Sequence, residues 1–116
     1  MKRLLALLIT CCAMPAVSSS VSTGEDIAVD VTLPPKKIHE ECVRLEAGQA
    51  RRWHWKSSAP VDFNIHYHRG DDVFYPVKRD VMRGDGGTFA AKSGEDYCWM
   101  WTAHGAPAKV EGRISK

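Results

Sequence analysis

The sequence has little excess charge of either sign once its first residues are set aside. The whole chain holds 16 lysines and arginines against 14 aspartates and glutamates, so that without Lys2 and Arg3 (16 minus 2) the balance is 14 against 14. The remaining charges are interspersed along the chain. Because a nucleic-acid-binding surface needs a run or stripe of basic residues that neutralises successive phosphates, we expect no nucleic-acid partner.

A long apolar run is also missing beyond residue 20. The apolar run at residues 4–14 follows Lys2 and Arg3 and precedes a stretch of small residues, an order typical of a cleaved secretory signal. The run is too short to span a bilayer. We therefore predict a signal peptide over residues 1–20, a periplasmic or secreted location, and no transmembrane segment in the mature chain. The alternative is a lipid anchor at Cys11 or Cys12, although neither cysteine follows the small residue that such anchors require.

Motifs of hydrolytic and phosphate-binding enzymes are absent. The sequence contains no Gly-x-Ser-x-Gly, no His-Glu-x-x-His and no phosphate-cradling glycine loop. The acidic pairs at residues 40–41, 71–72 and 95–96 are sequence neighbours, which point to opposite faces of a strand and do not form an acid and base couple. These absences indicate a protein that is not an enzyme and has no cofactor.

Only two cysteines remain after removal of the signal, Cys42 and Cys98. In an oxidising compartment such a pair indicates one disulfide, and the alternative is two buried free thiols. A bridge requires Cα atoms about 4.4–6.8 Å apart. Closing a loop of 56 residues (98 minus 42) would stabilise the fold by about 4 kcal/mol in the chain-entropy model.

Short runs of aromatic and β-branched residues, separated by turn residues, dominate the mature chain. They predict strands at residues 38–46, 51–56, 61–69, 73–79, 87–91, 96–102 and 109–114. Several alternate strictly, so that each presents one aromatic face, and two aromatic faces are best buried by stacking two sheets. We therefore predict an all-β fold, an antiparallel, jelly-roll-like β-sandwich of about seven or eight strands with one disulfide. It occupies residues 38–116, after an N-terminal leader with a short extended segment at residues 21–37.

Three histidines form a candidate metal site. His66 and His68 are two apart on a predicted strand and share its polar face. His54 lies on the polar face of the preceding strand, and a hairpin across residues 57–60 would bring it beside the other two. Imidazole nitrogens suit Zn²⁺ or Cu²⁺, so an exported metal-binding protein is the alternative function.

The stretch from Ile38 to Ile114 resembles the GOLD (Golgi dynamics) domain, a lumenal β-sandwich of small cargo receptors that also occurs in lipid-binding proteins. The residues that carry the resemblance are 45–49 leading into 52–55, then 61–65, then Gly94 ahead of 97–101. Cys42 and Cys98 fall where those receptors carry their bridging pair. The coiled coil, membrane helix and sorting tail of the receptors do not follow here, so cargo sorting is not implied. The resemblance implies an exported, non-catalytic binding module for a protein or lipid partner, whose binding residues the sequence does not identify.

Overall fold

The structure is a computed structural model that describes residues 25–116. The predicted signal peptide, with Cys11 and Cys12, lies outside the described residues. No helix long and apolar enough to cross a membrane is found within residues 25–116. The described part contains six strands, which are β1 (Ile27–Leu33), β2 (Ile38–Leu45), β3 (Ala50–Arg69), β4 (Asp72–Ala90), β5 (Glu95–Ala103) and β6 (Ala108–Ser115).

All strand pairs are antiparallel, and β3 is the central strand, which pairs with β4, β5 and β6. Strand β4 follows one edge of β3 along nearly its whole length. The other edge of β3 is shared, because residues 52–57 pair with β6 and residues 61–66 pair with β5. Strand β1 extends the sheet beyond β6, and β2 extends it beyond β5.

The sheet folds over at the middle of β3 to form a sandwich. Trp55 and Phe63 are eight residues apart, which is roughly 26 Å along a straight strand. Their ring centroids nevertheless lie 5.3 Å apart. The strand therefore turns back on itself at residues 57–60, and its two halves face each other. We call β1, β6 and residues 50–57 of β3 the first layer, and β2, β5 and residues 61–69 of β3 the second layer.

The core lies between these layers and is largely aromatic. The indole of Trp55 in the first layer meets that of Trp101 in the second at right angles, with centroids 6.4 Å apart, an arrangement that aromatic pairs favour. All four tryptophans are buried, so none is left as an exposed aromatic platform. The predicted alternation is confirmed, since the inward positions are Trp53, Trp55, Phe63, Ile65, Tyr97, Trp99 and Trp101.

The all-β sandwich is confirmed, but the described residues contain six strands, and the predicted number of seven or eight is wrong. Residues 51–56 and 61–69, predicted as two strands, belong to the single strand β3. Residues 73–79 and 87–91, also predicted as two strands, fall in the single strand β4, which ends at Ala90. The glycine-rich segment 83–87, predicted as a turn, lies inside β4 opposite Trp53 and Trp55. Its glycines make room for these residues: a Cβ at Gly87 would lie 2.8 Å from the Trp53 indole, and one at Gly84 would lie 3.1 Å from the Trp55 carbonyl oxygen.

The N-terminal extended segment is a full member of the sandwich. Strand β1 pairs with β6 from Ile27 to Leu33, and its side chains Val29 and Leu33 are buried in the core. The compact fold thus includes a strand ahead of Ile38, where the sequence places the start of the domain.

Strand β4 is an edge strand with two interruptions. It has one extra residue relative to β3 between Val77 and Phe74, and another between Met82 and Arg79. The second bulge contains Val81, whose φ of 56° is unusual for a β-branched residue. Pro76 occupies the first bulge and has no N–H to offer a further strand. Bulges, proline and charged side chains are the usual protection of an exposed edge.

Candidate functional site

The second layer carries the predicted disulfide. Cys42 and Cys98 are directly opposite each other on β2 and β5, and their sulfurs are bonded. Their Cα atoms lie 4.0 Å apart, closer than the expected 4.4–6.8 Å. Directly opposed residues of an antiparallel pair have Cα atoms only about 4.5–5.5 Å apart, so this bridge joins neighbouring strands of one layer.

The histidines of the predicted metal site are not brought together as the sequence suggested. His66 and His68 do meet, with ring centroids 5.2 Å apart. Residues 57–60 do not form a hairpin, because β3 is continuous from Ala50 to Arg69 and folds over between the layers. Since the tryptophans beside His54 point into the core from one layer and Phe63 and Ile65 point into it from the other, His54 faces away from the outer surface that holds His66 and His68.

His66 is the unusual member of the set, because it lies on an outer face yet is 4% exposed. Its Nε2 lies 3.0 Å from a carboxylate oxygen of Glu40 on β2, and its Nδ1 lies 2.7 Å from the amide oxygen of Asn64. Cys98 is its partner on β5, and the Tyr75 ring covers it with centroids 5.9 Å apart. Burial lowers the pKa of His66 below its usual value, against the opposing effect of Glu40.

A second histidine meets an acid at the opposite end of the second layer. His104 Nε2 lies 2.8 Å from Asp62 Oδ1, and the same oxygen accepts the backbone N–H of Val81 at 2.9 Å. Burial by itself would raise the pKa of Asp62, but the N–H of Val81 and the neighbouring His104 outweigh it, so this pKa is lowered. Among residues 25–116, no serine, threonine or cysteine side chain hydrogen-bonds to His104. Asp62 therefore holds the β4 bulge against β3 through the N–H of Val81. The pair formed by His104 and Asp62 has no such nucleophile to activate.

The end of the β3–β4 hairpin, residues 67–75, projects apolar side chains into solvent, and we call it the hairpin arm. Three consecutive residues, Val73, Phe74 and Tyr75, are 38%, 39% and 49% exposed. The Phe74 ring stacks on Tyr67 with centroids 5.1 Å apart and an interplanar angle of 14°. The exposed Phe74 ring is therefore packed against a neighbouring aromatic side chain.

The surface of residues 25–116 includes two hollows. One, of about 270 Å³, opens beside the hairpin arm and is lined by Tyr67, Pro76, Phe89, Ala90, Lys92, Ser93 and Tyr97. The other, of about 470 Å³, is a shallow groove on the first layer around Gly112. Its walls include Asp30, Lys56, Glu111 and Arg113, which are charges of both signs, and His54 lies there too.

Neither the hairpin arm nor the partners of His66 were predicted from the sequence. A run of three apolar residues in a strand is most simply interpreted as buried on both faces, and only the edge position of β4 exposes it. Glu40 and Asn64 come from outward positions of two strands, and no spacing within one segment indicates their meeting. For the arm, the available signal was the placement of Val73-Phe74-Tyr75 directly after the turn at residues 70–71.

Comparison with known proteins assigns no family. No protein-family model matches the chain, and no curated protein matches it. Among solved structures, the chain is similar to PliG of Aeromonas hydrophila, a periplasmic lysozyme inhibitor of g-type lysozyme. The two chains are 11% identical, the match covers 79% of this chain and 88% of PliG, and the TM-score is 0.47.

Proposed function

We propose that the chain is an exported, non-catalytic binding module that recognises a protein partner through its hairpin arm. The observation that carries this proposal is the exposure of Val73, Phe74 and Tyr75 together on an edge strand. Contiguous exposed apolar residues on a folded domain mark interaction sites. Tyrosine is among the residues that contribute most to protein interfaces.

The arm is ordered before any partner arrives. Arg69 donates to a carboxylate oxygen of Glu95 at 2.6 Å, and its guanidinium lies 5.5 Å from the centroid of Tyr67 and 5.6 Å from that of Phe74. This cation–π contact on both rings fixes the arm against β5. Binding to an ordered arm loses less conformational entropy, so the exposed rings favour a specific complex.

The hollow beside the arm supports a protein partner with an apolar anchor. Its lining includes Tyr67, Phe89 and Tyr97 together with Pro76 and Lys92. A volume of about 270 Å³ accommodates one large apolar side chain rather than a whole small-molecule ligand. A partner segment that covers Phe74 would place such a side chain there.

Charge favours a protein over a lipid surface. Asp71 lies in the turn at the tip of the arm and Asp72 follows it, and Arg69, a cation of residues 67–75, is paired with Glu95. Anionic membrane surfaces attract basic segments and repel carboxylates. The recognition function implied by the GOLD resemblance agrees with either partner, and the export of the chain rests on the sequence of its N-terminus.

The proposal is tested by placing a photo-crosslinking amino acid at position 74 of the exported protein in the cell that makes it. Irradiation should produce a discrete protein adduct. The matched control carries the same amino acid at Ile38, an exposed apolar residue on β2, and should produce none. Adducts of equal yield at both positions, or none at 74, would overturn the proposal.

The adduct also identifies the partner for a direct affinity measurement. With that partner purified, Phe74→Ser should weaken binding by roughly 30-fold, as expected when a central aromatic residue of an interface is lost. Ile38→Ser should leave the affinity unchanged. Flotation of the wild-type protein with anionic vesicles that is abolished by Phe74→Ser would instead assign the arm to a lipid surface.

A further inference from the structure

The surroundings of His66 contain an arrangement that the hairpin arm does not explain. As placed, its Nδ1 faces the Asn64 amide oxygen at 2.7 Å and its Nε2 faces the Glu40 carboxylate at 3.0 Å. Both partners are hydrogen-bond acceptors. A neutral imidazole has one N–H, so if Nδ1 donates to Asn64, then Nε2 directs a lone pair at a carboxylate oxygen. A cation between these two atoms would satisfy both.

The proton is one such cation, but burial opposes it. His66 is 4% exposed, so a charged imidazolium there would have little contact with water. A metal ion is the other candidate, because a metal-ligating histidine typically donates its second N–H to an acceptor, as Nδ1 is placed to do with Asn64. Two ligands about 2.1 Å from a zinc ion at a tetrahedral angle lie roughly 3.4 Å apart. The 3.0 Å between Nε2 and Glu40 therefore needs only a small adjustment.

A third ligand atom is close by. The carboxylate of Glu40, the imidazole of His66 and the sulfur of Cys98 all lie within 4.8 Å of one another. The sulfur of Cys42 is bonded to that of Cys98. A disulfide sulfur carries no thiolate charge, so the bridged protein offers zinc only the carboxylate and the imidazole.

We propose that reduction of the Cys42–Cys98 disulfide by a dithiol opens a zinc site formed by Cys98, His66 and Glu40, with Cys42 as the fourth ligand. In the reduction the S–S bond breaks and each sulfur gains one electron and one proton, while the dithiol loses two of each and becomes a disulfide. Zn²⁺ then displaces the thiol protons to solvent. Two thiolates, an imidazole and a carboxylate form a tetrahedral set that zinc accepts.

The same geometry gives a metal ion access to the site. The side chain of Glu40 is 42% exposed, so an ion reaches the site along β2. Because the carboxylate and imidazole come from outward positions of β2 and β3, the sheet need not open for them to bind. The site is distinct from the hairpin arm, and its failure would leave the proposed function standing.

The test is a titration of the mature protein with Co²⁺ and then Zn²⁺, with and without prior reduction by a dithiol that is removed before the metal is added. The reduced protein should develop the intense visible absorption of tetrahedral Co²⁺ and a thiolate-to-cobalt charge-transfer band. Zn²⁺ should displace the cobalt and raise the Tm of the reduced protein. The oxidised protein should show neither band.

Variants separate this site from adventitious binding to two thiols. In the reduced state, His66→Ala should weaken zinc binding by more than 10-fold, and Asn64→Ala, a positioning change, by about 10-fold. His54→Ala, on the other layer, should have no effect. Near-ultraviolet circular dichroism follows folding throughout, so that a reduced chain that unfolds should regain its native spectrum on addition of Zn²⁺. Equal zinc affinity of reduced wild type and His66→Ala, or no tetrahedral spectrum, would overturn the proposal.

Discussion

The two layers of the sandwich are built from the same pattern of strands but are held together differently. In the first layer, β6 approaches β3 closely because Gly112 has no side chain opposite Trp55. In the second, a disulfide joins β2 to β5. The buried His66 belongs to the second layer, the bulges of β4 lie opposite the β3 residues of that layer, and the hairpin arm extends from it. The layer with the disulfide is therefore the one that also carries the irregular features and the surface proposed to bind a partner.

Of the changes that distinguish the two layers, loss of the disulfide should lower the free energy of unfolding most. Replacing both Cys42 and Cys98 with serine should lower the free energy of unfolding by about 2–5 kcal/mol, because the bridge restricts the unfolded chain. Urea unfolding followed by tryptophan fluorescence measures the change. A double variant as stable as the wild type would show that the second layer does not depend on its bridge, and the contrast between the layers would disappear.

The first layer should be most sensitive at Gly112. A Cβ there would lie 2.6 Å from the Trp55 Cβ and 2.8 Å from its Cα, so β6 and β3 would have to separate. We expect Gly112→Ala to lower the free energy of unfolding by about 1–3 kcal/mol, the usual cost of overpacking. Urea denaturation measures this value against the wild type.

Gly105 supplies the matched control for that substitution. A Cβ at Gly105 meets nothing within 4 Å, so Gly105→Ala should change the stability by less than about 0.5 kcal/mol. If both variants behaved alike, the close approach of the strands at Gly112 would not be what holds the first layer.

Local alternation was sufficient to predict the aromatic part of the core. Tyr97, Trp99 and Trp101 point inward as the period of two requires. The disulfide was predictable from the number of cysteines that remain beyond the predicted signal, whatever the strand order. Both inferences depend on a single segment or a simple count, and neither needs the sheet register.

The features that escaped prediction depend on which strands become neighbours. The glycines at residues 84–87 resemble a turn until Trp53 is known to lie against them. Ser57–Pro60 resembles a hairpin loop, yet the strand folds over there between two layers. The burial of His66 follows from Glu40 on β2 and Tyr75 in a β4 bulge. These relations are set by register, which a sequence pattern does not specify.

The smallest expected effect is on the stability of the fold in acid, through the contacts of Asp62 with His104 and with the Val81 N–H. The pKa of Asp62 in the folded protein is lowered, since the Val81 N–H and His104 together outweigh the opposing effect of burial. A carboxyl whose folded pKa lies below its unfolded value of about 3.9 stabilises the fold above that value. This contribution is lost as the pH falls below about 4 through the folded pKa. Because the side chain is 37% exposed, solvent screening limits the effect to less than about 1 kcal/mol.

Asp62→Asn isolates this contribution because it keeps an oxygen that can accept the Val81 N–H while removing the charge. The variant should be less stable than the wild type at pH 6, and the difference should shrink at pH 3, because below about pH 3.9 the carboxyl of the unfolded chain binds a proton and the advantage of the folded carboxylate declines. Urea unfolding at the two pH values measures both differences. A deficit of the same size at pH 3 and pH 6 would mean that the carboxylate charge does not stabilise the bulge. The strained backbone at Val81, with its φ of 56°, would then be held by the hydrogen bond alone.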